Sequence, residues 1–203
     1  MDPDSFKTLA ASAEGEYRAA GSRFIGLAVP VQNREEAEEH LQSRRKSYFD
    51  ATHHCYAYRL GTGMEETFRY ADAGEPAGTA GRPIFNVLVG RELTDILLVV
   101  TRYFGGVKLG TGGLARAYAE TARLTLDQAP VQVSYLTETL EFQIDYEHSH
   151  TVNHLLELLQ AKVVKSDYRD QIRLAVKVRR SLAERFQTLL IEATNGRVLF
   201  TRL

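Results

Sequence analysis

Residues 95–103 (DILLVVTRY) constrain the fold more tightly than any other part of the chain. Apolar side chains occupy both parities of this strand-length run, so neither row can face water and the strand belongs at the centre of a sheet. Its surroundings read as an α/β-type arrangement. Residues 22–31 (SRFIGLAVPV), His53–Leu60 (HHCYAYRL) and Thr67–Ala71 are predicted strands, with Gly61 and Gly63 turning between the last two. Asn33 is expected to cap a helix to about Tyr48. That helix carries Glu35, Glu36, Glu38 and Glu39 early and Arg44, Arg45 and Lys46 late, an order that complements the helix dipole. Both charge runs are read as a solvated helix face. A loop over residues 72–81 leads into a short helix ending near Gly90, with Pro83 in the first turn, where its missing N–H costs nothing. Beyond Tyr103 a glycine-rich loop opens onto a helix to about Gln128. Leu114, Tyr118, Ala122 and Leu126 form its apolar stripe, and Arg116/Glu120 and Arg123/Asp127 are spaced for i,i+4 pairs.

Pro130 marks the expected boundary between a first domain, residues 1–130, and a second, residues 131–203. A chain of 203 residues is long enough for two such domains to bury cores of their own. The second half reads strand, helix, strand, strand, helix, strand. Residues 137–146 alternate, Ser149 is placed to cap a helix with Val152, Leu155, Leu156 and Leu159, and residues 162–167 form a short strand. Residues 171–180 alternate again with Ile172, Leu174, Val176 and Val178 inward. Ser181 and Glu184 are spaced as a capping box, Asn195-Gly196 stops the last helix, and residues 197–202 close the pattern. The order βαββαβ is ferredoxin-like.

Charge and cysteine content narrow the function classes. Twenty-five Lys and Arg against 26 Asp and Glu, for a net charge of −1, exclude a protein held to nucleic acid by bulk charge; any such binding needs a local basic patch. Cys55 is the only cysteine, so no intramolecular disulfide can form and a reducing cytoplasm is the expected location. The acidic N-terminus lacks signal-peptide order, and the longest apolar runs, such as residues 96–100, are too short to span a bilayer, so no membrane association is expected.

The chemistry concentrates in two loops. Gly105, Gly106, Gly110, Gly112 and Gly113 lie within nine residues that end at a helix N-terminus, where free N–H groups and the dipole favour an anion. Lys108 adds a mobile charge, and Arg102 and Arg116 flank the loop. Neither the P-loop nor the G-x-G-x-x-G spacing occurs. Two readings stay open: an anion site, or a tight turn whose glycines serve packing. The second loop, DAGEPAGTAGR over residues 72–82, holds Asp72 and Glu75. Turn formation and helix capping are the expected uses; Mg²⁺ binding or acid–base work is the alternative.

Other candidates are weaker. His53 and Cys55 share a strand face opposite His54, without a third orienting group, and a buried structural thiol is the expectation. His150 and His154 are one turn apart but lack the glutamate of H-E-x-x-H. Arg173, Lys177 and Arg179 form an outward basic row. Glu141 and Asp145 on the adjacent strand are placed to pair with it, and the face lacks stacking aromatics.

The blocks SRFIG at 22–26 and ATHHCYAYR at 51–59, the block DAGEPAGTAGRPI at 72–84, and above all VTRYFGGVKLGTGGLARAY at 100–118 resemble the IMPACT family, the YigZ-like proteins. The resemblance covers roughly residues 15–128, and the remainder is similar to the small C-terminal domain of bacterial members. It implies an α+β chain whose first domain has the ribosomal protein S5 domain 2-like fold and whose second is ferredoxin-like, the pair found in the last two domains of the ribosomal translocase. Eukaryotic members regulate translation by protein binding through an added N-terminal domain that this chain is expected to lack. The family brings no established catalytic activity. Ala73 stands where the family often has a second aspartate, which weakens any two-metal idea.

The leading expectation is a non-enzymatic binding protein of translation. Arg102, Lys108, Arg116 and Arg82, with Gly105, Gly106, Gly110, Thr111, Gly112 and Gly113, would meet the phosphates of RNA or the ribosome. An enzyme acting on a phosphorylated small molecule with Mg²⁺, through Asp72 or Glu75, and a protein-binding adaptor are the alternatives. No cofactor is expected.

Overall fold

In the computed structural model, which describes residues 3–201, the strand with two apolar faces stands in the middle of a five-stranded sheet. The described chain divides into two units, Phe6–Ser134 and a second that begins at Tyr135 and takes in residues 3–5. The first part of the chain runs β1 (Ser5–Leu9), β2 (Ala13–Ala19), β3 (Ser22–Pro30), α1 (Arg34–Ser47), β4 (His53–Leu60), β5 (Thr67–Ala71), α2 (Gly81–Gly90), β6 (Ile96–Tyr103), α3 (Gly110–Asp127) and β7 (Val131–Tyr135). The large sheet has the order β2-β3-β6-β4-β5 with every neighbouring pair antiparallel. Leu98 and Val100 of β6 pack beneath α2 and α3 with Ile84, Leu88, Leu114, Tyr118 and Ala122. Leu97 and Val99 pack on the opposite face with Ala37 and Leu41 of α1 and with Tyr56 and Tyr58. Both rows of β6 are dry, as its apolar content requires.

Asn33 caps α1 by accepting the Glu36 N–H at 2.8 Å, and the Glu36 carboxylate takes the Gln32 N–H at 2.8 Å. The late basic run is not wholly a solvated face. Arg44 is buried, bonds Glu14 at 2.5 Å, and stacks on Tyr48. Strands β1, β2 and β7 escape sequence patterning because they are short or alternate only weakly, with half-buried residues on one side. Strand β2 nevertheless fixes α3. Gly15 and Gly26 lie opposite each other under Thr125, and a Cβ on Gly26 would fall 2.0 Å from the Thr125 hydroxyl. Two glycines thus let helix and sheet approach closely.

The second unit contains β8 (Thr137–Ile144), α4 (Ser149–Leu158), β9 (Lys162–Tyr168), β10 (Ile172–Arg179), α5 (Ala183–Ala193) and β11 (Leu199–Thr201). Its antiparallel sheet has the order β11-β8-β10-β9, the ferredoxin-like arrangement. Ile172, Leu174, Val176 and Val178 face a core built with Phe142, Val152, Leu155, Phe186 and Leu190. The chain is α+β, an S5 domain 2-like domain followed by a ferredoxin-like one.

Three local expectations are corrected. Ser149 is the first residue of α4 rather than its cap. The capping box at Ser181 does not form, because α5 starts at Ala183 and the Ser181 N–H and hydroxyl both donate to Asp4 Oδ2, at 2.8 and 2.6 Å. Charges also choose other partners. Arg123 pairs with Glu120 and Arg91 with Asp127, while Arg173 meets Gln143 at 3.0 Å and Asp145 holds Gln171. Arg123 takes the i,i+3 neighbour on its own helix rather than the i,i+4 one, while helix packing decides the partner of Arg91 and sheet register that of Arg173.

Candidate functional site

Helices α2 and α3 lie side by side in the same direction. Pro83 and Arg116 line one groove near their N-terminal ends, and the Arg91–Asp127 pair joins them further along. Both glycine-rich loops therefore open onto neighbouring helix N-termini.

The Asp72 loop is closed from within. Asp72 Oδ1 accepts the N–H groups of Ala80 and Gly81, both at 2.9 Å, and Oδ2 accepts that of Gly78 at 2.8 Å. Burial raises the carboxyl pKa, but the three amide bonds outweigh it and hold the group below the ordinary aspartate value of 3.8. Oδ1 serves the start of the helix and Oδ2 the loop that leads into it, so the carboxylate works as an internal cap.

Glu75 points into the protein. Its Oε1 accepts from Arg102 at 2.6 Å and from the Tyr118 hydroxyl at 2.8 Å, and His53 Nε2 lies 3.8 Å away. The Glu75 and Arg102 side chains are only 4% and 5% exposed. Arg102 also bonds the Ser22 hydroxyl at 3.1 Å and lies over the rings of Phe24 and Phe104. Arg102 was expected at a phosphate; its charge is instead matched by Glu75 inside the fold. A buried cation must find a counter-charge, and the Asp72 loop supplies it. Cys55 belongs to the same cluster, its sulfur 2.8 Å from the Asp72 carbonyl oxygen and 3.3 Å from the Tyr118 hydroxyl. Burial, with Glu75 and Asp72 nearby, pushes its thiol up to about 12, so no thiolate nucleophile exists at neutral pH. His53 bonds the Ala73 carbonyl through Nδ1 at 3.0 Å. On the other face of β4, His54 bonds Thr101 and the Tyr48 carbonyl, and burial lowers its pKa.

The glycine loop is built differently, and its glycines divide by role. Gly105 serves packing: a Cβ there would fall 1.9 Å from the Gly21 carbonyl carbon, so two backbones touch. The Phe104 and Gly105 N–H groups are held by the hydroxyls of Thr52 and Ser22. Gly106 and Gly110 turn the chain at φ +85° and +68°, with open space beside them. Gly112 and Gly113 sit in the first turn of α3. A Cβ on Gly112 would meet only the Arg116 guanidinium at 3.5 Å, and one on Gly113 would press on Leu109 at 3.1 Å. No side chain caps this N-terminus. Around it Lys108, Thr111 and Arg116 are exposed, with Arg82 exposed in the first turn of α2. Among the described residues, none of these three cations has a carboxylate or side-chain partner. Ser22, Thr52, Phe24 and Tyr118 lie within the quoted blocks, yet sequence reasoning gives them no role at the site. Ser22 and Phe24 come from β3, Thr52 from the turn before β4 and Tyr118 from α3, and no local spacing announces that they meet.

His150 and His154 are exposed on α4, and among the described residues no group of three His, Cys, Asp or Glu side chains could hold a metal ion. No helix of the described residues is long and apolar enough to cross a membrane.

Comparison with known proteins agrees with this architecture. Residues 20–126 match the Impact N-terminal domain, and residues 142–197 match a domain of unknown function, DUF1949. IMPACT family member YvyE of Bacillus subtilis is 34% identical over 95% of this chain and 88% of its own. IMPACT family member YigZ of Escherichia coli is 33% identical over 86% of each chain. A crystal structure of a hypothetical protein superposes with a TM-score of 0.73 at 30% identity, covering 98% of both chains. The match to the first domain together with full-length relatives at this identity places the chain in the IMPACT family.

Proposed function

We propose that this chain is a non-catalytic, translation-associated binding protein that grips the phosphates of RNA or the ribosome at the mouth of α3. One observation carries the reading: α3 opens without a side-chain cap beside three exposed cations, Lys108, Arg116 and Arg82, that have no counter-charge of their own. Helix N–H groups, the dipole and mobile cations together suit a phosphate. The neighbouring α2 lacks this capacity because Asp72 already occupies it. With a net charge of −1, a local patch of this kind is the form that nucleic-acid binding must take. Phosphate contacts position an RNA without reading its sequence, so low sequence preference is expected.

The test is equilibrium binding of the wild type and Lys108→Ala to ribosomes and to structured RNA at two salt concentrations. The expected result is salt-sensitive binding, weakened in the variant, with a salt slope smaller by about one phosphate contact. Unchanged binding by Lys108→Ala removes the loop as the site. No binding at either salt ends the RNA reading and turns attention to phosphorylated small molecules.

A further inference from the structure

A second surface of the first unit has no role in that reading as it stands. On the edge strand β5, Phe68 and Tyr70 are 54% and 41% exposed, and both lean on Phe85 of α2. Phe68 and Phe85 have ring centroids 4.7 Å apart, and Tyr70 lies 5.6 Å from Phe85. Phe68 and Tyr70 are parallel to within 7°. Phe85 is anchored against the main core, so the other two rings rest on a fixed base. Val89, one turn further along α2, is also exposed and extends the apolar area. Two clustered rings open to water on a half-buried third are an apolar patch of the kind that marks an interaction surface.

What covers them must suit both the rings and the charge beside them. Arg82 stands one helical turn before Phe85, exposed and without a counter-charge. Pro83, the next residue of α2, lines a groove with Arg116, so the start of α2 that carries Arg82 lies beside the part of α3 that carries Arg116. Flat apolar faces beside unpaired cations match a chain that carries flat rings and phosphates together. Duplex RNA keeps its base faces stacked inside the helix and cannot offer them; unpaired nucleotides can.

We infer that Phe68, Tyr70 and Phe85 form a base-stacking platform for single-stranded RNA, joined through Arg82 to the phosphate contacts at α3. The inference rests on the RNA reading above and sharpens it to unpaired nucleotides. Phe68 and Tyr70 supply the stacking faces, Phe85 holds them in place, and Arg82 bridges the backbone.

Anisotropy titrations with a labelled oligouridylate and with a blunt RNA duplex of equal length test it on the full chain. The proteins are the wild type, Lys108→Ala, Arg82→Ala, the double variant Phe68→Ala/Tyr70→Ala, and the rescue variant Phe68→Trp/Tyr70→Trp. The alanine double variant is expected to bind oligouridylate roughly 10- to 100-fold more weakly with an unchanged salt slope, and tryptophan is expected to restore binding. Duplex binding should be weaker than oligouridylate binding in the wild type and indifferent to the ring variants. If Lys108→Ala weakens oligouridylate binding but the alanine double variant equals the wild type, the platform is overturned while the α3 site stands. Equal losses for duplex and single strand, or failure of tryptophan to rescue, overturn it as well. If the wild type binds neither RNA, both readings fall. A dimer that the alanine variant dissociates, at unchanged RNA affinity, would assign the surface to a second copy of the chain and overturn the inference.

Discussion

Asp72 and Gly112 sit at the starts of two helices that run side by side, each entered from a glycine-rich loop after a strand. At α2 the chain bends its own carboxylate back onto three amides, and the loop is closed. At α3 no side chain returns, two glycines in the first turn keep bulk away, and nearby cations stand unpaired. The same local grammar yields a sealed turn in one place and an open one in the other. What decides is whether the protein supplies an anion of its own. Glu75 repeats the lesson one step inward: by taking Arg102, it closes the region behind the loops, while Lys108, Arg116 and Arg82 stay unpaired at the surface.

The strongest way to break this comparison is Glu75→Ala, which leaves Arg102 buried without a counter-charge. A loss of about 3–5 kcal/mol is expected from urea unfolding. A loss below about 1 kcal/mol would mean that the ion pair does not hold the closed side together. Next comes a pair of substitutions within the open loop. Gly105→Ala forces a contact with the Gly21 backbone and should destabilise by about 1–3 kcal/mol or more. Gly112→Ala meets only a flexible guanidinium and should stay within about 0.5 kcal/mol of the wild type, with its effect confined to RNA affinity. Equal stability losses for the two would make Gly112 a packing residue and weaken the open-site reading.

A further effect, small beside that of Glu75→Ala, concerns Asp72. Its folded pKa lies below the ordinary 3.8, so the stability it contributes is fully present above that value. That contribution is lost as pH falls through the lowered folded value. Asp72→Asn should therefore cost about 1 kcal/mol at neutral pH. The gap in melting temperature should close only in acid below pH 3.8. A gap independent of pH would show that the amides respond to the shape of the side chain rather than to its charge.

Much of the fold was legible in the chain itself. The run at residues 95–103 demanded a central strand and β6 is one; the alternation at residues 171–180 demanded one dry face and β10 has one. Asn33 behaves as the cap its position implies. Ser181 does not, although its spacing to Glu184 is right, because Asp4, 177 residues away, competes for its hydroxyl and N–H. Arg102 shows the same limit at the site. Beside a glycine loop it reads as a phosphate ligand, yet Glu75 is 27 residues off and Ser22 is 80, and both reach it first.

By itself the sequence determined the family and the strongly periodic elements, among them β6, α3 and β10, because periodicity and motif spacing are local properties written along the chain, whereas β1, β2, β7 and the burial of Arg44 were not written there. Only the tertiary structure decided which charges are matched inside and which stay unmatched at the surface. A long charged side chain pairs with whichever opposite charge the fold brings within reach, and that depends on sheet order and helix direction rather than on spacing. The closed mouth of α2 and the open mouth of α3 differ for that reason.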